Sequence, residues 1–274
     1  MTIVADLHIH TVASDGLLNP AEVVELAAQK RLKALAVTDH DTVAAVAEIM
    51  FFGKQAGIKV FSGIEFSTEY NDSEVHILGY CFDTRADTIR QLIRKLQESR
   101  FTRMEKLIAK LQSLGYSISL DEVLRQAGGA APGRPHAARV LVEKGYFKTI
   151  REVFSALLEK GRPAYTERFK LTPQEAITAI RAAGGFASWA HPGLSGKKEF
   201  LADFINCGLQ GIEVSHPEHT AAQEGLYRSL CKRYGLVVTG GSDFHGQNDN
   251  NSHDLALHGL NEQELDAFTR LCRQ

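Results

Sequence analysis

The chain has 274 residues, 44% of them hydrophobic and 23% charged, with a formal net charge of -2 and a pI near 6.6. That balance excludes a predominantly disordered chain, because enough apolar surface exists to offset the entropy of folding. It also excludes a global basic field of the kind that coats nucleic acid or an anionic membrane, although a local basic pocket stays open.

The opening MTIVADLHIH has no basic stretch leading into an apolar run. No apolar run approaches the roughly 20 residues that cross a bilayer, so the expected location is cytoplasmic. Cys81, Cys207, Cys231 and Cys272 are spread singly with no CxxC pair. That spacing argues against a thiolate zinc site and against a disulfide framework.

In chain order, residues 3–9 read as a strand and 20–30 as a helix, with Asn19 as N-cap and Pro20 at the first helical position. Residues 34–37 read as a second strand, 42–56 as a helix closed by Gly57, and 59–66 and 75–81 as two further strands. The middle differs. Residues 87–114 form a long amphipathic stretch, segments 120–127, 135–144 and 150–159 are helical, and no strand is evident from about 90 to 161. After Gly184-Gly185 the alternation returns: strand 186–189, helix 198–206, strand 211–214, helix 221–234, strand 236–239 and a closing helix 262–272. Strand–helix alternation predicts an α/β fold on a parallel sheet, closed or open. Residues 1–90 and 162–274 would form its body, and 91–161 a helical insertion.

The chain has eleven histidines, and their positions matter more than their number. His8 and His10 end the first strand and, two apart, face one side. Asp15 follows in TVASDG. Asp39, His40 and Asp41 follow the second strand, Glu65 ends the third, and His76 lies on the fourth. His191 ends the next in WAHPG, and Asp243 and His245 end the last in GGSDFHG. The C-terminal edge of a parallel sheet is where sites assemble. Any one of these residues could be an ordinary polar strand end, and His76 alone would read as a packed core histidine. Nine of these imidazoles and carboxylates, Asp39 and Asp41 left aside, are together costly to gather without cations. A donor set of His, Asp and Glu without Cys suits Zn, Mn or Fe, and nine ligands fit two or three ions.

HIHTVASDG, TDHDT, GIEFS, the lone His76, AHPG and GGSDFHG, in that order, resemble the PHP (polymerase and histidinol phosphatase) superfamily. The resemblance covers nearly the whole chain. It implies a distorted seven-stranded β/α barrel (TIM-like) and a metal-dependent phosphoesterase. It further implies that His8, His10, Glu65 and Asp243 hold one metal. Glu65 would bridge to a second, shared with His76 and His191, and Asp15, His40 and His245 would hold a third. Two adjacent ions would activate a water for in-line attack on phosphorus, with no Ser or Cys nucleophile. The helical insertion with GRPHAARVL, followed by GIEVSHPEH and TGGSDFHG, is similar to one branch of the superfamily. That branch contains nucleoside 3′,5′-bisphosphate phosphatases and a related 5′→3′ exoribonuclease, and there the insertion caps the metal site.

On this reading Arg134 grips a substrate phosphate bidentately, with His136 beside it. The same GRPH is also an ordinary helix start with an exposed Arg. Arg168, Lys197 and Lys198 are candidates for a second cationic contact, and His216 or His219 for a substrate contact or a proton donor. Asp39 and Asp41 could orient an imidazole, and Asp41 could equally cap the helix starting at Thr42. The charges between 90 and 110 read as a solvated helix face and Trp189 as core. GGS at 240–242 lacks any nucleotide-cofactor spacing. The expected reaction is hydrolysis of a small nucleotide phosphomonoester, a nucleoside 3′,5′-bisphosphate in its sharpest form. Alternatives are 5′→3′ degradation of short RNA, histidinol phosphate hydrolysis, or a non-catalytic metal-binding module. No membrane and no obligate protein partner are implied.

Overall fold

A computed structural model describes residues 2–167, 169, 171–195, 197–246 and 254–272. Seven strands lie in sequential order: β1 (Ala5–Asp6), β2 (Ala34–Val37), β3 (Lys59–Tyr70), β4 (Ser73–Tyr80), β5 (Phe186–Trp189), β6 (Gly211–Ser215) and β7 (Val237–Gly240). The first and last strands approach one another. The Leu7 amide donates to Gly240 O at 3.1 Å and Ile9 bridges Phe244, so the sheet is a nearly closed barrel.

The expected all-parallel pairing is corrected at one strand. β4 runs antiparallel to both β3 and β5, while the other pairs are parallel. The cause is the tight turn at Asn71 and Asp72, both with φ near the left-handed region (49° and 60°), which folds β3 straight back as a hairpin. The reversal explains His76. Lying near the start of a reversed strand, it reaches the same rim as the C-terminal ends of the others. β3 is also longer than expected, so Glu65 lies mid-strand rather than at its end.

Helices pack around the sheet: α1 (Pro20–Gln29), α2 (Val46–Ala56), α7 (Pro173–Ala182), the short α8 (Pro192–Ser195), α9 (Phe200–Asn206), α10 (Ala221–Tyr234) and α11 (Glu262–Leu271). Their boundaries follow local chemistry. Asn19 and Glu22 form a reciprocal capping box on α1, Thr220 and Gln223 one on α10, and Gly57 ends α2 with φ 70°. α2 begins at Val46, four residues later than expected, so Asp41 caps nothing.

Between β4 and α7 lie α3 (Asp87–Ser113), α4 (Leu120–Gln126), α5 (Arg134–Glu143) and α6 (Ile150–Val153), the last continuing as a π turn over Phe154–Leu158. α3 belongs to two cores. Ile89, Ile93 and Leu96 pack with the barrel, whereas Met104, Leu107, Ile108 and Leu111 pack with Val123, Leu141, Val153 and Leu158 in a separate helical core.

The four cysteines are not all free. Cys81, just after β4, and Cys272, at the end of α11, form a disulfide across 191 residues of sequence. This corrects the expectation from spacing, because a pairing so distant leaves no local signature. No helix among the described residues is long and apolar enough to cross a membrane.

Candidate metal centre and its cap

The nine rim residues converge. Barrel geometry delivers them, and two glycines let the main chain close in. A Cβ on Gly241 would lie 2.3 Å from the His8 amide nitrogen, and one on Gly16 would lie 2.6 Å from the His10 carbonyl. His191 and Asp243 take positive φ (25° and 52°), a conformation that side chains rarely adopt and that cores tolerate mainly at functional sites.

Three sets of donor atoms form: His8, His10, Glu65 and Asp243; His10, Asp15, His40 and His245; and His40, Glu65 and His76. His8 Nε2 lies 3.3 Å from both Glu65 Oε2 and Asp243 Oδ1, and His10 Nε2 lies 3.3 and 3.1 Å from the same two oxygens. His191 Nε2 approaches Glu65 Oε1 at 3.0 Å and His76 Nδ1 the same oxygen at 2.8 Å. Glu65 is therefore the hub of these contacts, while His191 falls outside the three donor sets. His40 stands between the second and third sets, with Nδ1 at 3.1 Å from Glu65 Oε2.

The donor chemistry fits divalent ions. His8 Nε2, both nitrogens of His10, Asp15 Oδ1 and His191 Nδ1 are buried without a hydrogen-bond partner. Unsatisfied buried polar atoms are rare, and these five share one centre, while Trp189 Nε1 and Gln210 Oε1 lie apart from it. Electrostatics agrees. Burial would lower the histidines, but contacts with Glu213, Glu65 and Asp243 hold His8 well above its ordinary range. Against the same burial, Asp243 and Glu65 lift His10 to about 10. Burial opposes ionisation of Glu65, yet His40, His76 and His8 drive it well below the usual carboxylate range. The carboxylates thus hold His8 and His10 toward their cationic forms, the same charge demand that a divalent cation would meet.

Beneath the rim, buried acids hold the loops. Asp39 accepts from Thr11 N (2.7 Å), Thr11 Oγ1 (2.7 Å) and Ser14 Oγ (2.6 Å), fixing the turn that carries Asp15. Asp6 accepts from Ser242 N and Oγ at 3.0 and 2.6 Å, fixing the turn that carries Asp243. Asp41 orients no imidazole. Its Oδ1 accepts the Ser67 amide at 2.9 Å, and its Oδ2 is paired with Arg100.

The helical segment between β4 and α7 meets the rim through arginines of α3 and α5. Arg100 and Arg103, expected on a solvated face of α3, instead point inward. Arg100 is paired with Asp41, and Arg103 Nε donates to Thr166 O at 3.0 Å. They line, with Arg134, a cavity of about 170 Å³ that is also lined by Asp15, His40 and His76 and by the acids Asp41 and Glu74. Arg134 lies 3.4 Å from Glu74 and rests over the Phe154 ring. Across Pro135 and Phe154 a wider cleft of about 530 Å³ opens onto Asp15, Asp243 and His245, edged by Arg139 and Arg151. Arg139 donates to Asp15 O at 2.8 Å. The helical pattern could have shown this face only with knowledge of how α3 crosses the barrel.

The other candidate contacts are placed as follows. His136 is buried, and its Nδ1 accepts the Gly133 amide at 3.0 Å, so it closes the start of α5. His219 uses both ring nitrogens on the main chain, donating from Nδ1 to Val214 O (2.9 Å) and accepting the Gly193 amide (3.2 Å) at Nε2. His216 is wholly buried with Nε2 3.6 Å from Asp243 Oδ2, behind the rim rather than in either cavity wall. Lys197 and Lys198 are exposed and line neither cavity. Arg168 lies outside the described residues. Trp189 is buried, as expected of a core residue.

The sequence pattern of the PHP domain matches residues 6–161. The 3′,5′-nucleoside bisphosphate phosphatase of Chromobacterium violaceum is 33% identical over 246 residues, covering 88% of this chain and 86% of that protein. The 5′-3′ exoribonuclease Rnm of Salmonella typhimurium is 34% identical over 250 residues, covering 89% and 85%. Among solved structures, a metal-dependent phosphoesterase from Bifidobacterium adolescentis superposes with a TM-score of 0.90 at 29% identity, covering 97% of this chain and 96% of that one.

Proposed function

This chain belongs to the PHP domain family and is a metal-dependent phosphoesterase, and from that premise we propose that it hydrolyses phosphomonoesters of small nucleotides. The sharpest form is a nucleoside 3′,5′-bisphosphate converted to a 5′-mononucleotide and phosphate. One observation carries this reading: Arg100, Arg103 and Arg134 line one cavity together with Asp15, His40 and His76. Two anionic groups on one substrate can then be held at once, one at the rim and one by guanidinium forks.

In this reading His8, His10, Glu65 and Asp243 hold one divalent ion, Glu65 with His76 and His191 a second, and Asp15, His40 and His245 a third. Mn, Fe and Zn all suit these donors. The ions when bound supply Lewis acidity that lowers the pKa of water and neutralises phosphoryl oxygens. The chain's own part is positioning. Asp39 and Asp6 fix the ligand loops, Arg134 orients the substrate, and residues 91–161 act as a cap that limits access of bulk water.

The wider cleft supports a second reading, because a strand of RNA held at its 5′ end could leave through it. The guanidinium wall disfavours histidinol phosphate, whose amine is cationic. The test is phosphate release with Mn²⁺ from adenosine 3′,5′-bisphosphate beside 5′-AMP, histidinol phosphate and a short 5′-phosphorylated RNA. Fast release from the bisphosphate with 5′-AMP as product is the expected result. Activity confined to histidinol phosphate would overturn the proposal, and preference for RNA would move the chain to the second reading.

A further inference from the structure

Glu213 lies within β6, in the wholly buried run of residues 211–215. An acid in such a place is costly unless paired. Its Oε1 is 2.9 Å from His8 Nδ1, and its Oε2 accepts the His191 amide at 2.7 Å. An ionised carboxylate offers only lone pairs, so the His8 nitrogen facing it carries a proton. With a cation in front of the ring, that is the ring's one proton. The opposite nitrogen, Nε2, then turns its lone pair toward Glu65 Oε2 and Asp243 Oδ1, each 3.3 Å away. The second contact acts on backbone. His191 is held at φ 25°, and capture of its amide by Glu213 helps fix that conformation. His191 Nε2 in turn reaches Glu65 Oε1 at 3.0 Å. Two imidazoles from different strand ends are thus set between one carboxylate behind, Glu213, and one in front, Glu65.

We propose that Glu213 is a positioning residue for the metal centre: its single carboxylate selects the His8 tautomer and pins the His191 main chain, so that both rings address the ion held at Glu65. The inference rests on the reading of the rim as a metal site.

Glu213→Gln tests it. To keep the His191 amide, the glutamine must turn its oxygen there and present its NH₂ to His8 Nδ1. The ring must then carry its proton on Nε2, aimed at the cation. Mn²⁺ affinity, measured on stripped protein by competition with a chelator, is expected to fall about 10–100-fold. Nitrogen-15 spectra of the Zn²⁺-loaded wild type are expected to show His8 protonated on Nδ1. Glu213→Asp, which keeps the charge but falls short by one methylene, is expected to keep that tautomer with a smaller loss, and it carries the comparison where the glutamine variant fails to fold. Unchanged affinity in the variants, or His8 protonated on Nε2 in the wild type, overturns the proposal. Wild type that takes up no divalent ion overturns the ligand assignment itself.

Discussion

The rim of the barrel and the helical segment that lines a cavity beside it, the cap of the proposed function, are built in opposite ways. Rim donors come from within strands, as Glu65 and His76 do, or from just beyond strand ends, where buried acids such as Asp39 and Asp6 fix the loops. Cap donors are long side chains from helices, placed by packing between two cores. The rim carries an excess of lone pairs that calls for cations; the helical side brings guanidiniums to the same cavity, with Arg100 paired to Asp41 and Arg134 to Glu74. A substrate with phosphate groups completes both. The difference predicts that rim changes remove chemistry, whereas cap changes remove affinity.

The largest effect expected is on the rim side. Asp243→Ala takes a carboxylate from the His8–His10–Glu65 set. Turnover should fall by about 10³-fold or more, since metal electrostatics supplies several kcal/mol at about 1.4 kcal/mol per decade. Steady-state kinetics with a metal count would show it. A variant that keeps its turnover with its metal lost would break the comparison at once.

Arg100→Ala comes next and is mixed in kind. It should raise KM for the bisphosphate about 10–100-fold. It also strands the buried Asp41 carboxylate, at a cost of about 3–5 kcal/mol in denaturant titration. Arg134→Ala is the cleaner cap variant. Its partner Glu74 is half-exposed, so stability should move by less than about 1 kcal/mol while KM rises about tenfold.

A pH experiment separates packing from function in the cap. Burial lowers His136 to about 4, so the folded state resists protonating it while the unfolded chain does not. Stability from the neutral ring is complete above pH 6.5 and is lost as pH falls toward 4, by at most about 1.4 kcal/mol per unit. His136→Asn, which keeps an acceptor for the Gly133 amide, should flatten that decline between pH 7 and 5. The smallest effect is expected at Lys197→Ala and Lys198→Ala, exposed and off both cavity walls, with kinetics within about twofold of wild type.

The two regions also differ in how far the sequence reveals them. His8 and His10 are legible because a period of two puts both rings on one face, and the acids that follow each strand mark one edge. Glu213 shows a weaker signal, a charge inside the apolar run GIEVS, that goes unread without its partner. Arg100 and Arg103 are not legible. α3 is polar over much of its surface, and only the crossing with the barrel decides which guanidiniums turn inward. Cys81 and Cys272 are invisible for the same reason, being brought together by the closure of α11 on the barrel. α7 is legible as well, although it is absent from the expected elements: Thr172 and Glu175 form a capping box with Pro173 between them, and Ala176, Ile177 and Ile180 form its buried face. The reversal of β4 is set by a two-residue turn, which outweighs the strand–helix rhythm on either side.

The division of labour between rim and cap is tested most directly by the ratio of kcat/KM for adenosine 3′,5′-bisphosphate to that for 5′-AMP, measured with Mn²⁺ in wild type and Arg134→Ala. A strong preference for the bisphosphate in the wild type, reduced about tenfold in the variant with kcat nearly unchanged, is the predicted result. Equal use of both substrates by the wild type, or a preference that survives loss of Arg134, would contradict it.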